Sequence, residues 1–411
     1  MQILFLSTHL PLPANNGQAI RTLSIIQALA SSGHEITFLS FATRSRPETL
    51  HPLSSYCRKI DLLERNLKSF SERSDYLGRI YSLVTCRPYS VERFRSEPMR
   101  MRIQEHLKAT PFDLLLCDGL YALLNVSQTE VPIALNCHNV EHVIYDRYSG
   151  IEKNPIRRYY AAIEARLLRA AEQHSCRHAK IVMVCSSYYR DLLHRLEPDL
   201  PIFVVPNAVD TDLYHPQPDS TPNHKALTVL FPGGMDWYPN RDAVEFFVQA
   251  ILPLVRSELP EAKFTVVGRN PPPGFVGKLR SPGVQFTGTV ADMRPHLLAS
   301  TVVVVPLRFA SGTRIKILEA CAVGKPVVST SLGAEGLELE NGKDIVVADN
   351  PDEFARAVIA LLQDPVQRET IARHARSVIV ERYSHAILRR ILDGVISTLS
   401  KHTLLAETIP N

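Results

Sequence analysis

The sequence predicts an α/β protein with two domains, each built on a parallel sheet. The chain has 411 residues, more than a single hydrophobic core usually spans, so two domains of about 200 residues are expected. In both halves, short apolar runs rich in Val, Ile and Leu alternate with amphipathic stretches, which is typical of parallel strands covered by helices on both faces. Between the halves, the stretch Pro206–Pro222 is rich in Pro, Asp and Asn, as a linker should be.

The first half contains six apolar runs of strand length. The first run is followed by a long loop and by the amphipathic stretch Ala19–Ser32, and Gly33 stands just after it, where glycine commonly ends a helix. The predicted strands of this half are Gln2–Ser7, Glu35–Phe41, Leu114–Cys117, Ile133–Asn136, Ile181–Val184 and Ile202–Val205.

The second half repeats this pattern and then ends in three consecutive helices, Pro351–Asp364, Pro365–Glu381 and His385–Leu399. The last helix has no strand of its own to cover, so it is expected to cross back to the first domain. This predicts domains at 1–206 and 207–384 and a C-terminal helix and tail at 385–411. The predicted strands are Leu227–Phe231, Lys263–Val267, Val284–Thr287, Val302–Pro306, Pro326–Ser329 and Ile345–Val347.

Composition limits the classes of function that the chain can have. The formal net charge is only +4, and no motif of the common nucleic-acid-binding modules is found, so nucleic acid is not expected as a partner. The seven cysteines lack CxxC spacing and several lie in apolar runs, which is typical of reduced thiols. The chain opens into a strand-like run, and no apolar run approaches the roughly 20 residues of a membrane span, so a cytoplasmic location is expected.

The stretch Ser311–Pro326 predicts a helix with two cations at its front. The dipole of a helix already makes its N-terminus positive, so each cation there should cost about 0.3–1 kcal/mol unless an anion is bound. We expect the Arg314 guanidinium to emerge beyond the packed face above the sheet, with Lys316 beside it. Together with the amides near Gly312 and Thr313, these cations are typical of a diphosphate site. The alternative is two solvated cations, one of them paired with Glu319.

This segment resembles the donor-binding signature of the retaining glycosyltransferases of family 4, also called group 1. The resemblance extends from Val305 to Val328 and is supported by three further motifs along the chain, which are His34–Thr37, Val205–Asp210 and Phe286–Val290. It implies the GT-B fold, in which two Rossmann-like domains face each other across a cleft. It also implies an acceptor-side N-terminal domain, a donor domain that binds a nucleotide-diphosphate sugar, and a reaction without a metal or another cofactor.

The chain departs from the family pattern at one position. The usual signature has two glutamates eight positions apart, and here the first position holds Ser311 while the second holds Glu319. In the family the second glutamate binds the ribose hydroxyls, and the first lies near the donor sugar. The usual Arg and Lys of the first loop of the donor domain are also missing, so we expect Arg314 and Lys316 to replace them. Asn240 is expected to cap the helix after that loop.

The resemblance also suggests candidates in the first domain. The loop before Gly17 corresponds to one that approaches the donor phosphates or sugar, although a simple turn is the alternative. His138 directly follows an apolar strand, and a histidine there approaches the transferring sugar in the family; a hydrogen-bonded loop histidine is the alternative. Asn139 and Glu141 are weaker candidates. The predicted catalytic residues are His138, Arg314 and Lys316, and the predicted donor-binding residues are Gly17, Gly288, Val290, Ser311, Gly312, Thr313, Arg314, Lys316 and Glu319.

Two other patterns concern metals and the acceptor. Asp210 and Asp212 match a DxD metal motif of other glycosyltransferases, but they lie in the linker, and no metal site is expected. From Lys68 to Lys108, arginines alternate with Tyr76, Tyr81, Phe94 and Met99, a composition that can dock on anionic lipid. A solvated helical face is the alternative. The expected partners are therefore a nucleotide sugar and a glycan or lipid-linked acceptor, with a peripheral contact to the inner face of the membrane left open.

The leading functional hypothesis is a retaining, metal-independent glycosyltransferase in polysaccharide or glycoconjugate synthesis. A nucleotide-sugar epimerase of the same fold is one alternative, but it needs acid and base carboxylates, and only Glu141 is a candidate. A catalytically degenerate scaffold is another, because Ser311 replaces a glutamate. The base, the sugar and the acceptor are not determined by the sequence.

Overall fold

The computed structural model describes residues 1–42, 51–65, 72–217 and 227–407. The chain forms two compact units: Met1–Pro206 together with Leu388–Asn411, and Asn207–Ile387. Among the described residues, no helix combines the length and the apolar character that a membrane-spanning segment requires.

The first unit contains a seven-stranded parallel sheet in the order β3-β2-β1-β4-β5-β6-β7. The six predicted strands are confirmed, with ends within one residue. The remaining strand, β3, was not predicted: Lys59, Asp61 and Glu64 interrupt its apolar pattern, as charges often do on an edge strand. The strands are β1 Gln2–Ser7, β2 Glu35–Ala42, β3 Lys59–Glu64, β4 Leu114–Asp118, β5 Ile133–Asn136, β6 Ile181–Val184 and β7 Ile202–Val204.

Helices cover this sheet. The first begins at Gly17, because the side chain of Asn16 accepts a hydrogen bond from the Ala19 amide, and it ends before Gly33, whose φ of 80° is the left-handed value that favours glycine. The helices of this part are α1 Gly17–Ser31, α2 His51–Ser54, α3 Glu72–Thr85, α4 Tyr89–Glu92, α5 Glu97–Ala109, α6 Leu120–Leu123, α7 Glu141–Ile151, α8 Pro155–His178 and α9 Ser187–His194.

Two buried glutamates of α8 hold the starts of other helices. Glu164 accepts hydrogen bonds from the Ser90 amide (2.9 Å) and hydroxyl (2.8 Å) at the start of α4. Glu172 accepts from the Glu141 amide (2.6 Å) at the start of α7. The N-cap residues of α4 and α7 make no side-chain cap of their own, so α8 supplies acceptors for amides that a helix leaves unpaired.

The second unit contains a six-stranded parallel sheet in the order β10-β9-β8-β11-β12-β13. All six predicted strands are confirmed, again with ends within one residue. Their burial is nearly complete in β8, β9, β11 and β12, which explains the continuous apolar runs. The strands are β8 Thr228–Pro232, β9 Lys263–Val267, β10 Val284–Gly288, β11 Val302–Val305, β12 Val327–Ser329 and β13 Val346–Val347.

The helices of the second unit include the three predicted near the C-terminus. The last of them starts in this unit, and its residues from Leu388 onward belong to the first unit, where Leu388, Leu392, Val395, Ile396 and Leu399 are buried. The helices are α10 Tyr238–Phe246, which continues through a π-helical turn at Phe247–Ile251 into α11 Leu252–Glu258, then α12 Pro273–Lys278, α13 Arg294–Ala299, α14 Ile315–Ala322, α15 Ser331–Ala334, α16 Pro351–Gln363, α17 Pro365–Tyr383 and α18 His385–Glu407.

Each sheet has one point where the direction of strand addition reverses. It lies between β1 and β4 in the first unit and between β8 and β11 in the second. In open α/β sheets, ligands bind at the carboxyl ends of the strands next to this point. The strand orders therefore direct attention to the residues after β1 and β4, and to those after β8 and β11.

Candidate functional site

At the reversal point of the second unit, Lys316 of α14 reaches the loop after β8. Its Nζ donates a hydrogen bond to Asn240 Oδ1 (2.8 Å) and lies 4.3 Å from the centre of the Phe231 ring. A Cβ at Gly233 would be 2.7 Å from this Nζ, so a side chain at this position would displace the ammonium group. The lysine thus occupies the loop from which the family's usual cations are missing.

Asn240 does not cap α10, which corrects the sequence prediction. It lies inside the helix, whose N-cap is Trp237. Its side chain donates to the Gly234 carbonyl (2.8 Å) while it accepts from Lys316. Because one amide side chain serves both partners, Asn240 fixes the loop and the ammonium group relative to each other.

The predicted orientation of Arg314 is wrong. Arg314 is the N-cap residue of α14, with an extended backbone, and it is only 4% exposed. Its guanidinium turns back and donates to the carbonyls of Ser311 (2.7 Å) and Gly312, and to that of Leu332 (3.4 Å). The buried carbonyls of the preceding loop need donors, and the arginine supplies them instead of emerging above the sheet.

The loop before α14 is further held by Gly312 and Asn207. Gly312 has a φ of 78°, a left-handed value that costs other residues about 1–2 kcal/mol. Asn207 Nδ2 donates to the Thr313 hydroxyl (2.7 Å) and carbonyl (3.3 Å). Ser311, Gly312 and Thr313 are all buried. The segment that enters α14 is therefore rigidly built.

The ionisable groups of α14 have pKa values near neutrality. Burial, reinforced by Arg314, lowers the pKa of Lys316 to about 7, although Glu319 opposes this shift. Burial raises the pKa of Glu319 to about 7, against the hydrogen bond from Tyr214 and the charge of Lys316. Both groups are half-buried and lack a full countercharge, which is typical of a site prepared for a charged ligand.

The other predicted residues of this unit lie further along the sheet edge. Gly288 ends β10 with a φ of 72°, and Val290 packs partly buried against the core. Asp210 accepts hydrogen bonds from the amides of Asp212 and Leu213, so its carboxylate stabilises a turn. No group of three or more His, Cys, Asp or Glu side chains suited to a metal occurs in the part of the chain that the structure describes.

At the reversal point of the first unit, His138 belongs to a network centred on Asp118. Asp118 ends β4 and is fully buried. Its Oδ1 accepts from His138 Nε2 (2.7 Å) and Asn136 Nδ2 (2.7 Å), and its Oδ2 accepts from Thr22 (2.7 Å) and Ser7 (3.0 Å). Burial alone would raise the pKa of Asp118, but His138 and these hydrogen bonds outweigh it and lower the pKa.

This network fixes which nitrogen of His138 remains available. Nε2 is engaged with Asp118, while Nδ1 is buried without a hydrogen-bond partner among the described residues. Arg21 extends the network, since it donates to Asn136 Oδ1 (2.8 and 3.0 Å) and to the Val205 carbonyl (2.7 Å). Asp118 and Arg21 were not predicted from the sequence, although a carboxylate that ends an apolar strand next to a reversal point is a usable signal.

The weaker candidates of this unit have defined positions. Glu141 starts α7 and hydrogen-bonds Asn139 (3.3 Å) and Tyr121. Burial and then the nearby Glu172 raise its pKa. Gly17 is the exposed first residue of α1. No described contact joins it to His138.

The basic and aromatic segment differs from the predicted docking face. Lys68 lies outside the described residues, as do the side chains of Tyr76 and Tyr81. Phe94 and Met99 are buried in the core. Arg95, Arg100 and Arg102 form ion pairs with acidic side chains. The expectation that Phe94 and Met99 interleave with exposed arginines is therefore wrong.

Comparison with known families identifies the chain. A model described as Glycosyltransferase Family 4 matches residues 15–213, and a model described as Glycosyl transferases group 1 matches residues 226–364. The chain is a glycosyltransferase of the GT-B type. The fold expected from the resemblance is thereby confirmed.

This glycosyltransferase is similar over most of its length to other proteins. It is 22% identical over 400 residues to an uncharacterized 44.6 kDa protein in the cps region of Klebsiella pneumoniae, with 93% of this chain and 96% of that protein covered. Sucrose-phosphate synthase from Thermosynechococcus elongatus has a TM-score of 0.77 at 16% identity, with 98% and 100% covered. Anabaena HepE in complex with UDP-glucose has a TM-score of 0.67 at 16% identity, with 97% and 100% covered.

Proposed function

We propose that this glycosyltransferase transfers a sugar from a nucleoside-diphosphate sugar to a glycan or lipid-linked acceptor, with retention of configuration and without a metal. The observation that carries the proposal is the position of Lys316. Its ammonium group lies at the start of α14, beside the loop after β8, at the reversal point of the second sheet. A helix N-terminus with an adjacent cation binds phosphate by charge and by its unpaired amides.

The donor half of the reaction is assigned to the second unit. Lys316 neutralises the departing diphosphate, and the amides at the start of α14 donate to its oxygens, so that negative charge is stabilised as it develops. Arg314 acts indirectly, because its guanidinium donates hydrogen bonds to the carbonyls of Ser311 and Gly312 and so fixes the loop before α14. Glu319 accepts hydrogen bonds from the ribose hydroxyls. A complex of HepE with UDP-glucose at the same fold supports a nucleotide sugar as donor.

The sugar half is assigned to the first unit. The buried Nδ1 of His138 has no hydrogen-bond partner within the described part of the chain, and a sugar hydroxyl would satisfy it. Since Asp118 holds Nε2, the imidazole keeps one orientation while the sugar is transferred. Ser311 stands in place of the family's first glutamate. Its side chain is shorter and extends less far toward the donor sugar.

A lipid-linked acceptor is supported by one surface of the first unit. On α3, Val84 is 78% exposed, and on α8, Ile156 and Tyr159 are 77% and 72% exposed. The two helices are joined where Arg79 lies 5.3 Å from the centre of the Tyr160 ring. Exposed apolar side chains next to arginines favour contact with an anionic membrane surface, and a peripheral contact of this kind would bring the enzyme to a lipid-linked acceptor.

A panel of nucleotide sugars tests the donor assignment. Binding is measured by calorimetry and transfer by release of the nucleoside diphosphate, with and without EDTA. We expect Lys316→Ala to weaken binding of the preferred donor by about tenfold or more, because it removes a charged hydrogen-bond donor. Lys278→Ala is the matched control, since Lys278 is an exposed lysine of the same unit that pairs with Glu245.

The same panel separates the competing mechanisms. Transfer that survives EDTA agrees with the proposal, whereas a loss that Mn²⁺ restores contradicts the metal-free mechanism. Binding without transfer or hydrolysis for every sugar nucleotide tried, at every acceptor tried, would instead favour a degenerate nucleotide-binding scaffold.

A further inference from the structure

The segment that follows the first unit runs along the donor helix. We call residues 207–216 the connector; it belongs to the second unit, as α14 does. At the front of α14, Asn207 binds Thr313 (2.7 Å). At the far end, a Cβ on Gly324 would lie 3.1 Å from Cγ of Pro216. Between these points, the hydroxyl of Tyr214 hydrogen-bonds Glu319.

The backbone of Tyr214 is held by one hydrogen bond within the connector and by another from α17. Its amide donates to the Asp210 carbonyl (2.8 Å), and its own carbonyl accepts from Arg376 of α17 (3.0 Å). The same guanidinium also binds the Ala322 carbonyl at the end of α14. The phenol is therefore presented to Glu319 by a backbone that is fixed relative to α14.

We propose that Tyr214 is a positioning residue of the nucleotide site, which holds the carboxylate of Glu319 in the orientation and the ionised form that a ribose diol requires. The proposal rests on the assignment of Glu319 to the ribose. It makes the connector part of the donor site, although none of the predicted donor-binding residues lies in residues 207–216.

The chemistry of the contact favours this role over simple packing. A phenol hydroxyl donates one hydrogen bond, and a carboxylate offers about four lone-pair positions. Tyr214 can therefore keep its bond while the ribose hydroxyls occupy the remaining positions. The groups that act on the carboxyl of Glu319 are Tyr214 from the connector and Lys316 from its own helix, and the charges of Asp292 and Arg294 act on Tyr214. When the phenol hydroxyl is removed, the charge of Lys316 still stabilises the carboxylate of Glu319, but the hydrogen bond from Tyr214 is lost.

The experiment measures the affinity for UDP-glucose by calorimetry between about pH 5.5 and about pH 8.5, using a ligand whose phosphates do not titrate there. For the wild type, the affinity should fall as the pH falls through the range in which Glu319 takes up a proton. We expect Tyr214→Phe to move the midpoint of this acid limb upward by about half a unit or more. The affinity at the alkaline end should stay within about threefold of the wild type.

Two further variants separate positioning from general destabilisation. In a Glu319→Gln background, which has no acid limb from this group, Tyr214→Phe should change the affinity by no more than about twofold, because the two residues act as one unit. Tyr383→Phe is the control: this tyrosine also uses its hydroxyl, which accepts from the Glu338 amide, yet its loss should leave the midpoint unchanged.

A wild-type midpoint in Tyr214→Phe overturns the proposal, and so does an equal loss of affinity with and without Glu319. If the wild type binds no UDP-glucose, the donor that the panel identifies takes its place, and if the panel identifies none, the proposed function is wrong and the contact is decided in the free protein. There, carbon-13 NMR of labelled glutamate carboxyls, with Glu319→Gln for assignment, should show a higher pKa of Glu319 in Tyr214→Phe. An unchanged pKa contradicts the role of Tyr214.

Discussion

At the scale of single residues, the proposed donor half-site holds two ionisable groups whose charges are weakened in the free protein. Lys316 and Glu319 lie one helical turn apart and both have pKa values of about 7. A diphosphate next to Lys316 favours the ammonium form and raises the pKa of this lysine. Binding therefore takes up a proton when the pH lies between the free and the bound pKa.

This linkage predicts how donor binding depends on pH. The affinity for the nucleotide-sugar donor that the panel identifies should decline as the pH rises above about 7, because the free lysine is then neutral and must be protonated before it binds the diphosphate. Calorimetry in buffers of different ionisation enthalpy measures the proton uptake directly. Lys316→Ala should abolish this alkaline decline, and a decline that persists in the variant would assign it to another group.

A second prediction concerns Asp118. Asp118→Asn removes the charge but keeps the shape, and the hydroxyls of Ser7 and Thr22 can rotate to accept from the new amide. We expect the transfer rate to fall by about tenfold or more while UDP-glucose affinity is unchanged, because the variant weakens the hold on His138 and leaves the donor half-site intact. The double variant with His138→Ala should be no slower than His138→Ala alone. A further loss in the double variant would mean that Asp118 acts independently of His138.

The residues of the site were only partly predictable. Lys316 and Glu319 were singled out as candidates by helix spacing and by the resemblance to the family signature. The orientation of Arg314 does not, because it depends on the carbonyl of Leu332, which is distant in sequence and reaches the guanidinium only after folding. Asp118 was not predicted, because it lies just after the predicted strand Leu114–Cys117. Its four hydrogen bonds come from three other parts of the chain, which only the folded structure brings together.

At the scale of elements, α8 organises the helices around it through two buried carboxylates. Glu164 and Glu172 lie on one face of this helix and accept hydrogen bonds from the starts of α4 and α7. Because α7 follows directly after His138, the second of these contacts also fixes the end of the loop that carries the histidine. A long helix thus helps to position a candidate site residue through the start of α7.

This arrangement predicts the effect of Glu164→Ala. Without the carboxylate, the Ser90 amide and hydroxyl lose a buried acceptor, which should cost about 1–3 kcal/mol of the free energy of unfolding. Denaturant unfolding followed by circular dichroism measures the loss. Arg166→Ala, on the exposed side of the same helix, should change stability by less than about 0.5 kcal/mol. Equal effects of the two variants would show that α4 does not need Glu164.

The elements themselves were more predictable than the site. The central parallel strands are mostly buried and form continuous apolar runs in both sheets, and the ends of all twelve predicted strands lie within one residue of the prediction. The edge strand β3 was not predicted, because charged residues interrupt its apolar pattern. Such residues are tolerated in a strand that pairs on one side only.

At the scale of the whole molecule, the first unit is discontinuous in sequence. It takes residues from both ends of the chain, and the apolar face of α18 is buried from Leu388 to Leu399. The second unit is continuous and contains the single tryptophan, Trp237, at the start of α10. Stability of the two units can therefore be followed separately.

This division predicts the outcome of Leu392→Ala. Leu392 is 1% exposed, so the cavity left by its truncation should cost about 2–5 kcal/mol. The loss should appear in thermal unfolding followed by circular dichroism, while the fluorescence of Trp237 should keep its wild-type midpoint. A parallel shift of both signals would show that the units unfold as one.

The return of α18 to the first unit also has a consequence for synthesis on the ribosome. Chains are made from the N-terminus, and domains generally fold in that order as they emerge. Here the first unit lacks a helix of its core until residues beyond Leu388 have been translated, whereas the second unit is complete in sequence before them. The second unit can therefore reach its final packing first, and the nascent first unit waits with an uncovered apolar surface for which a chaperone would be a natural partner.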